Sequence, residues 1–225
     1  MNLRELTVTS RVHFQETLSQ IRQDVLRMGS EAHELVKGAV DATLAGDLNL
    51  AAEVIAADDR VDEAERETMQ RAVLTVMQQA PVAADLRLLL STFEIIGEIE
   101  KVGDHAVKLA RRGRKLAGRF PAEMKRSLTE LGEEARKQFA ASLRLYAEYS
   151  PELASEIIRG DEAVDDSYTE ACRQVYRLIE ARPQEAEDLV RTIDCFHALE
   201  HVADHATSIA TRLAMLHERS GHLPK

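Results

Sequence analysis

The chain has little of what a β-sheet or an irregular fold is built from. It contains no tryptophan, 4% aromatic residues, 10 glycines and 5 prolines in 225 residues. Strands favour aromatic and β-branched side chains, and their turns favour glycine and proline. Because 44% of the residues are hydrophobic, a chain of this length can bury a sizeable core. The composition therefore predicts an all-α protein and excludes intrinsic disorder.

Cysteine and long apolar runs are also scarce. The two cysteines, Cys172 and Cys195, have no CxxC spacing, so we expect two reduced core residues rather than a disulfide framework or a zinc knuckle. No run approaches the roughly 18–20 apolar residues that a membrane span needs, and the first ten residues lack the apolar core of a signal peptide. We therefore expect a cytoplasmic protein that meets a membrane only through its partners.

Basic residues are the minority of the charges. The chain has 39 Asp and Glu against 29 Lys and Arg, for a formal net charge of −10. A nucleic acid would repel such a chain at long range, so it is not a predicted partner. The sequence also has no P-loop, no dinucleotide-binding fingerprint and no nucleophile-and-base arrangement, and we predict that the protein is not an enzyme.

Proline and glycine divide the chain into six helical segments, because proline is tolerated in the first turn of a helix but breaks its interior. Four internal prolines fall between runs of helical periodicity: Pro81, Pro121, Pro151 and Pro183. Asp47 and Ser150 are typical N-caps, and Gly46 and Gly118 are typical C-terminal glycines. At 1.5 Å per residue, each helix should be about 40–50 Å long. The predicted helices span residues 12–45, 48–79, 82–117, 121–148, 151–181 and 184–218.

The chain repeats itself. Residues 54–62 match residues 157–165 at an offset of 103, and residues 99–106 match residues 199–206 at an offset of 100. Repeats at a nearly constant period indicate tandem copies of one structural unit. We predict six long helices arranged as two tandem three-helix bundles. The predicted domains are residues 1–118 and 119–225.

Each repeat contains two pairs of carboxylates at i, i+4, which places the members of a pair on one helix face. The pairs are Asp58 with Asp62, Glu100 with Asp104, Asp161 with Asp165, and Glu200 with Asp204. In an antiparallel hairpin, residues equally distant from the turn lie at the same height. Asp62 and Glu100 are equally distant from Pro81, and the distances around Pro183 are nearly equal in the second repeat. The spacing predicts four carboxylates at one level in each repeat.

The acids of the second and fifth helices lie in line with apolar residues at 3-4 spacing. The two stripes are Ile55, Asp58, Asp62, Glu65, Met69, Ala72 and Val76, and Ile158, Asp161, Asp165, Tyr168, Cys172, Val175 and Ile179. On the sixth helix, Glu200 and Asp204 lie well round from the apolar seam that contains Leu199 and Val202. We expect the acids to border an open, solvent-facing groove.

Carboxylates at one level repel one another unless they are protonated or bridged by a cation. An all-oxygen set suits hard ions such as Mg²⁺, Mn²⁺, Ca²⁺ or ferric iron, and bridging carboxylates can hold more than one ion. His197, His201 and His205 flank the second cluster, and His105 follows Asp104. They form either an exposed histidine row or an auxiliary ligand set that extends the choice to Zn²⁺ or Fe²⁺. A solvated acidic face without metal is the alternative for each pair.

With these motifs in hand, the sequence resembles the PhoU family, the phosphate-signalling proteins that accompany the bacterial phosphate ABC transporter. The resemblance runs from about Phe14 to about Leu216. It is carried by Ile99-Glu-Lys-Val-Gly-Asp-His-Ala106, by its copy Leu199-Glu-His-Val-Ala-Asp-His-Ala206, and by Ala84-Asp-Leu-Arg87. The sequence departs from the family pattern at Ala203, where the first repeat has Gly103, and at Lys101 and His201, where the family often has arginine.

The resemblance implies that all eight acids are metal ligands, in multinuclear iron or other metal clusters. It also implies a negative regulator of phosphate uptake and of the phosphate-starvation response. Such a regulator acts through contact with the transporter's ATPase subunit and with the phosphate-sensing histidine kinase, and homodimerisation follows from the same analogy. Two other classes remain open: a helical structural adaptor without metal, and a ferritin-like di-metal protein. The latter uses Glu-x-x-His motifs, and no glutamate here has a histidine three residues later.

Overall fold

A computed structural model of the chain describes residues 3–81 and 84–220, with side chains over residues 12–81 and 84–218. The helices are α1 (Leu3–Ala45), α2 (Leu48–Gln79), α3 (Ala84–Leu116), α4 (Lys125–Ala147), α5 (Pro151–Ala181) and α6 (Ala186–Ser220). Short 3₁₀ turns at Ala122–Met124 and Pro183–Glu185 precede α4 and α6. Over the described ranges the chain forms no strand, so the predicted all-α fold is confirmed.

The helices vary in length more than predicted. The 43 residues of α1 correspond to about 65 Å and the 23 residues of α4 to about 35 Å at 1.5 Å per residue, so the expected uniform 40–50 Å is wrong. The α-helices α4 and α6 begin later than predicted because the turn after each proline is 3₁₀. The predicted start of the third helix at residue 82 lies outside the described residues. No helix in the described part of the chain is long and apolar enough to cross a membrane.

The predicted N-caps and C-terminal glycines are confirmed. The Asp47 carboxylate accepts two backbone N–H groups of the first turn of α2, at 2.9 and 3.0 Å, and the Ser150 hydroxyl accepts one in α5, at 3.2 Å. These bonds satisfy donors that have no partner within the helix. Gly46 and Gly118 follow α1 and α3 with φ of +67° and +76°, a conformation that glycine adopts without strain.

Two three-helix bundles pack side by side. α1, α2 and α3 contact one another, as do α4, α5 and α6, and the bundles meet where α3 packs on α6 and α1 on α4. The helix order across one face is therefore α2, α3, α6, α5. Phe139 and Phe196 are completely buried in the shared core, and the free cysteines Cys172 and Cys195 are buried, as predicted. The third helix of each repeat thus stands at the centre of the molecule.

The buried stripes of α2 and α5 lie beside the predicted ones. Val54 and Ile157 are buried, whereas Ile55 is only partly buried and Ile158 is 38% exposed. The predicted stripes are buried at Ala72, Cys172 and Val175, whereas beside the acids the buried residues lie on the adjacent row. On each helix, two adjacent rows of residues have the 3-4 spacing of a helix face. The row with more small residues lets the helix approach its partner helices more closely. Its buried members on α2 are Ala51, Val54, Val61, Ala64, Thr68, Ala72 and Thr75.

The crossing of α1 and α3 depends on Gly113. A Cβ atom at this position would overlap the buried Thr43 hydroxyl, which donates to the Ala39 carbonyl at 2.7 Å. We expect Gly113→Ala to lower the free energy of unfolding by about 1–3 kcal/mol through overpacking. Gly97→Ala, on the same helix but facing open space, should raise it by up to about 1 kcal/mol through helix propensity. Urea unfolding measures both, and a stabilised Gly113→Ala protein would contradict this close packing.

Candidate metal centre

The first carboxylate cluster lies between α2 and α3. The pKa of Asp58 is raised to about 6. Burial is the largest cause, the nearby charges of Asp62 and Asp104 add to it, and Arg111 opposes the rise. Burial also raises the pKa of Glu100 to about 6, followed by the charges of Asp104 and of the α2 acids. The four acids predicted from the hairpin spacing therefore act on one another across the two helices.

Glu65 is a fifth acid of this cluster that the spacing rule did not assign as a ligand. Its charge raises the pKa of Glu100, and its own pKa is raised by burial and by Asp62. The signal was available, because Glu65 follows Asp62 by three residues and lies on the same helix face. A search limited to acidic pairs at i, i+4 does not identify Glu65. The first cluster is thus a set of five carboxylates.

Gly103 brings α2 and α3 close together at this cluster. A Cβ atom on Gly103 would lie 3.1 Å from Asp58 Oδ1 and 3.3 Å from Val61 Cγ1. The missing side chain therefore leaves the room that the Asp58 carboxylate occupies. Among the described residues, no three ligand atoms of the first cluster lie within 4.8 Å of one another.

The second cluster lies between α5 and α6, and three of its acids are closer together. Asp165, Glu200 and Asp204 each have a carboxylate oxygen within 4.8 Å of the others. The pKa of Glu200 is raised by burial and then by Asp204. The side chain of Glu200 is 18% exposed and that of Asp204 is 40% exposed. The groove is therefore open to solvent at the aspartate and more enclosed at the glutamate.

Asp161, the fourth predicted acid of this cluster, has a partner of its own. The Thr207 hydroxyl donates to Asp161 Oδ1 at 2.9 Å. Burial raises the pKa of Asp161, and this hydrogen bond opposes the rise. The corresponding residue of the first repeat is Val107, which cannot donate such a bond. Asp161 is accordingly outside the close trio, although its charge still acts on Glu200.

The histidines do not form a simple exposed row. The ring centroid of His105 on α3 lies 4.8 Å from that of His201 and 5.4 Å from that of His205, with tilted ring planes, at the seam between α3 and α6. His205 Nδ1 lies 2.8 Å from Glu98 Oε2. Burial lowers the pKa of His105 to about 3, with Lys108 and His201 adding to the effect, so this ring is neutral near pH 7. His197 alone of the row is exposed.

Glu98 is a buried glutamate at this seam. The spacing of acidic residues in the sequence did not predict its role. Burial raises its pKa, but His205, Lys101 and Arg212 together bring the pKa below its ordinary value. Arg212 also pairs with Glu94 at 2.6 Å. Because His205 and Arg212 belong to α6, the carboxylate that α3 buries depends on the other repeat as well as on Lys101 of its own helix.

The chemistry of these groups is that of cation binding. Both clusters offer carboxylate oxygens, which hard ions prefer, and the second adds imidazole nitrogens, which suit Zn²⁺ and Fe²⁺. The buried Oε2 atom of Glu200 has no hydrogen-bond partner, and a buried carboxylate oxygen without a partner is costly. The donor set therefore fits a metal ion, and the eight predicted ligands stay a prediction.

Comparison with known proteins gives a consistent picture. The PhoU domain model matches residues 25–113 and again residues 128–213. The "Phosphate-specific transport system accessory protein PhoU homolog" of Rhizobium meliloti is 33% identical over 198 residues, covering 88% of this chain and 84% of that protein. The protein of the same name from Pseudomonas aeruginosa is 30% identical over 200 residues, covering 88% of this chain and 82% of that one.

Solved structures agree with the sequence comparison. The crystal structure of PhoU from Pseudomonas aeruginosa superimposes with a TM-score of 0.88 at 28% identity, covering 92% of this chain and 99% of that one. The first match takes in the second half of α1, all of α2 and most of α3, and the second takes in most of α4, all of α5 and most of α6. The predicted tandem arrangement of three-helix units is confirmed.

Repulsion in the first cluster predicts a pH-dependent effect on stability. The folded pKa values of Asp58 and Glu100, about 6, exceed the ordinary 3.8 and 4.5. The folded chain therefore binds more protons than the unfolded chain between about pH 4 and pH 6, so the destabilisation is complete above pH 6 and lost below pH 4. In metal-free protein, Asp58→Asn with Glu100→Gln should raise the urea midpoint clearly at about pH 7.5 and little at about pH 4.5.

The neighbouring Asp59, which is exposed, provides the matched control. Asp59→Asn should leave the midpoint nearly unchanged at both pH values, because surface substitutions are usually within about 0.5 kcal/mol. A double variant that gains the same stability at both pH values would contradict the assignment of repulsion to the first cluster.

Proposed function

This chain belongs to the PhoU family, and we propose that it is an accessory protein of a phosphate transport system that represses phosphate uptake and the phosphate-starvation response. The observation that carries the proposal is the double match to the PhoU domain over residues 25–113 and 128–213. Relatives that span more than four fifths of this chain are named phosphate-specific transport system accessory proteins. The two domains divide near residue 118 in this proposal.

The regulator acts by contact rather than by catalysis. Its partners are the ATPase subunit of the phosphate ABC transporter and the phosphate-sensing histidine kinase. It works in the cytoplasm as a homodimer and reaches the membrane only through these partners. The double PhoU match favours this role over the ferritin-like alternative, since both repeats match the same regulatory family.

Metal ions held by the carboxylate clusters are part of the proposal. The ligands are Asp58, Asp62, Glu100 and Asp104 in the first repeat, and Asp161, Asp165, Glu200 and Asp204 in the second. The pKa values of Asp58 and Glu100, raised first by burial and then by the neighbouring carboxylates, support it, because a cation between the carboxylates would favour their charged forms. A bound cation supplies positive charge that fixes α2 against α3 and α5 against α6. Multinuclear iron is the proposed occupant, with Mg²⁺, Mn²⁺, Ca²⁺ and Zn²⁺ as the alternatives.

Metal stoichiometry tests the ligand assignment. We expect Asp62→Ala with Glu100→Ala to remove the metal of the first repeat, and Asp165→Ala with Glu200→Ala to remove that of the second. Each pair takes one carboxylate from each helix, so neither helix can retain the ion alone. Elemental analysis of the purified full-length variants gives the metal content per chain.

Exposed acids beside the clusters serve as controls for overall charge. Asp59→Ala and Asp166→Ala each remove one carboxylate next to a proposed ligand, and both residues are exposed. These variants should keep the metal content of the parent protein. Unchanged metal content in the ligand variants would refute the clusters and favour a helical adaptor without metal.

Deletion of the gene tests the regulatory role directly. We expect a deletion strain to express phosphate-starvation genes at high external phosphate, because the repressing contact is lost. Quantitative transcript measurement at high and low phosphate gives the readout, and the parent chain supplied from a plasmid should restore repression. Starvation genes that stay silent in the deletion strain at high phosphate would contradict the proposed function.

A further inference from the structure

The buried apolar residues are divided into two clusters at one end of the molecule. Ile21 of α1 and Leu89 of α3 belong to a small cluster that is separate from the main core. Leu145 of α4 and Leu213 of α6 belong to the main core. All four residues line one cavity of about 460 Å³. The cavity therefore lies where the two apolar clusters fail to meet, although protein interiors are normally packed without such gaps.

Both repeats contribute to this cavity, which we call the end cavity. Its lining comes from α1 and α3 of the first repeat and from α4 and α6 of the second, and it includes the exposed residues Gln15 and Ser19. Ligand pockets commonly lie at such junctions and have volumes of about 300–1,000 Å³. At about 30 Å³ for each water-sized group, the end cavity has room for about 15 non-hydrogen atoms. An occupant of this size contacts both repeats at once.

Two stacked rings form part of the wall of the end cavity. The rings of Tyr149, which follows α4, and His217 of α6 have centroids 3.5 Å apart and planes 4° apart. His217 Nδ1 donates to the Leu213 carbonyl at 2.9 Å, which holds the imidazole in place. The flat wall is formed before any ligand arrives, and a preformed wall lowers the entropic cost of binding.

The end cavity also has a positive charge on its lining. Arg22 is exposed and lines the cavity beside the apolar residues. Burial raises the pKa of Tyr146, another lining residue, and a hydrogen bond with Thr92 and the charge of Arg22 oppose the rise. Glu148 lines the cavity as well, but of these two charges it is Arg22 that acts on the Tyr146 hydroxyl. A guanidinium group in this position can bind a carboxylate through two parallel N–H bonds.

We propose that the end cavity binds a small amphiphilic carboxylate, with its charged group on Arg22 and its apolar chain between the two apolar clusters, against the rings of Tyr149 and His217. The bound chain fills the space between the clusters and holds the two repeats in one relative placement. The site shares no residue with the carboxylate clusters. The proposal therefore depends neither on bound metal nor on the role in phosphate transport.

Octanoate, a carboxylate of suitable size, is the probe that tests the site. Isothermal titration calorimetry of the full-length protein, well below the micellar concentration, gives the affinity and the stoichiometry. The chain has four tyrosines and no tryptophan, and two of these tyrosines line the cavity, so tyrosine fluorescence provides a second readout. We expect one octanoate per chain, bound at least about 10-fold more tightly than 1-octanol, which lacks the charge.

Variants of two exposed lining residues locate the binding. Arg22→Gln should weaken octanoate binding by about 10- to 100-fold, through loss of the charge-assisted hydrogen bonds, and leave the affinity for 1-octanol nearly unchanged. Ser19→Trp should weaken the binding of both probes, because the indole occupies the space of the ligand. Lys37→Gln is the matched control. It removes one exposed positive charge from the same helix, roughly 20 Å further along at 1.5 Å per residue, and should leave both affinities unchanged.

The proposal is overturned if Arg22→Gln binds octanoate as tightly as the parent protein, or if 1-octanol binds as tightly as octanoate. Octanoate binding that survives Ser19→Trp places the probe elsewhere and also overturns it. None of these variants changes a carboxylate of the proposed metal clusters, so such a failure leaves the proposed function as it stands.

Discussion

Like charges confined between helices are the constraint on which this structure depends. Two carboxylates about 4 Å apart repel by about 4 kcal/mol at an effective dielectric constant near 20. A completely buried valine, leucine or phenylalanine contributes about 1.5–3 kcal/mol, so a few core side chains offset one such contact. The shared core of the two bundles contains many more buried apolar side chains than this. The chain can therefore fold with its acids in place and leave their repulsion for a cation to relieve.

The two repeats depend on each other through the seam of α3 and α6. Glu98 of α3 is almost completely buried, and from α6 it receives the positive charge of Arg212 at 3.4 Å and a hydrogen bond from His205 at 2.8 Å. Removing one partner from a buried ion pair leaves an uncompensated charge, which costs several kcal/mol. Since His205 directly follows Asp204, the contact that stabilises the seam also sets the position of the second cluster. The metal centres and the inter-repeat packing thus share residues.

Sequence reasoning reached the arrangement within each repeat because that arrangement is local. The distances of Asp62 and Glu100 from a proline determine their height on the hairpin, and the capping of Asp47 follows from its neighbours alone. The same reasoning did not show that Val54 and Val61 are the buried residues beside the acids of α2, since helical spacing fits two adjacent rows equally well there. It could not find the His205–Glu98 bond, because those residues are 107 positions apart and meet only through packing of one repeat on the other.

The repeats have kept the same acids and changed what surrounds them. Where the first cluster has a fifth carboxylate, Glu65, the second has Tyr168, and where the first has Val107, the second has the Thr207 hydroxyl bonded to Asp161. The first cluster thus concentrates negative charge against Arg111, whereas the second distributes it over hydrogen bonds and imidazoles. A cation removes more repulsion from the first cluster and meets softer donors in the second. Duplication of one acidic pattern has therefore produced two clusters with different electrostatic surroundings.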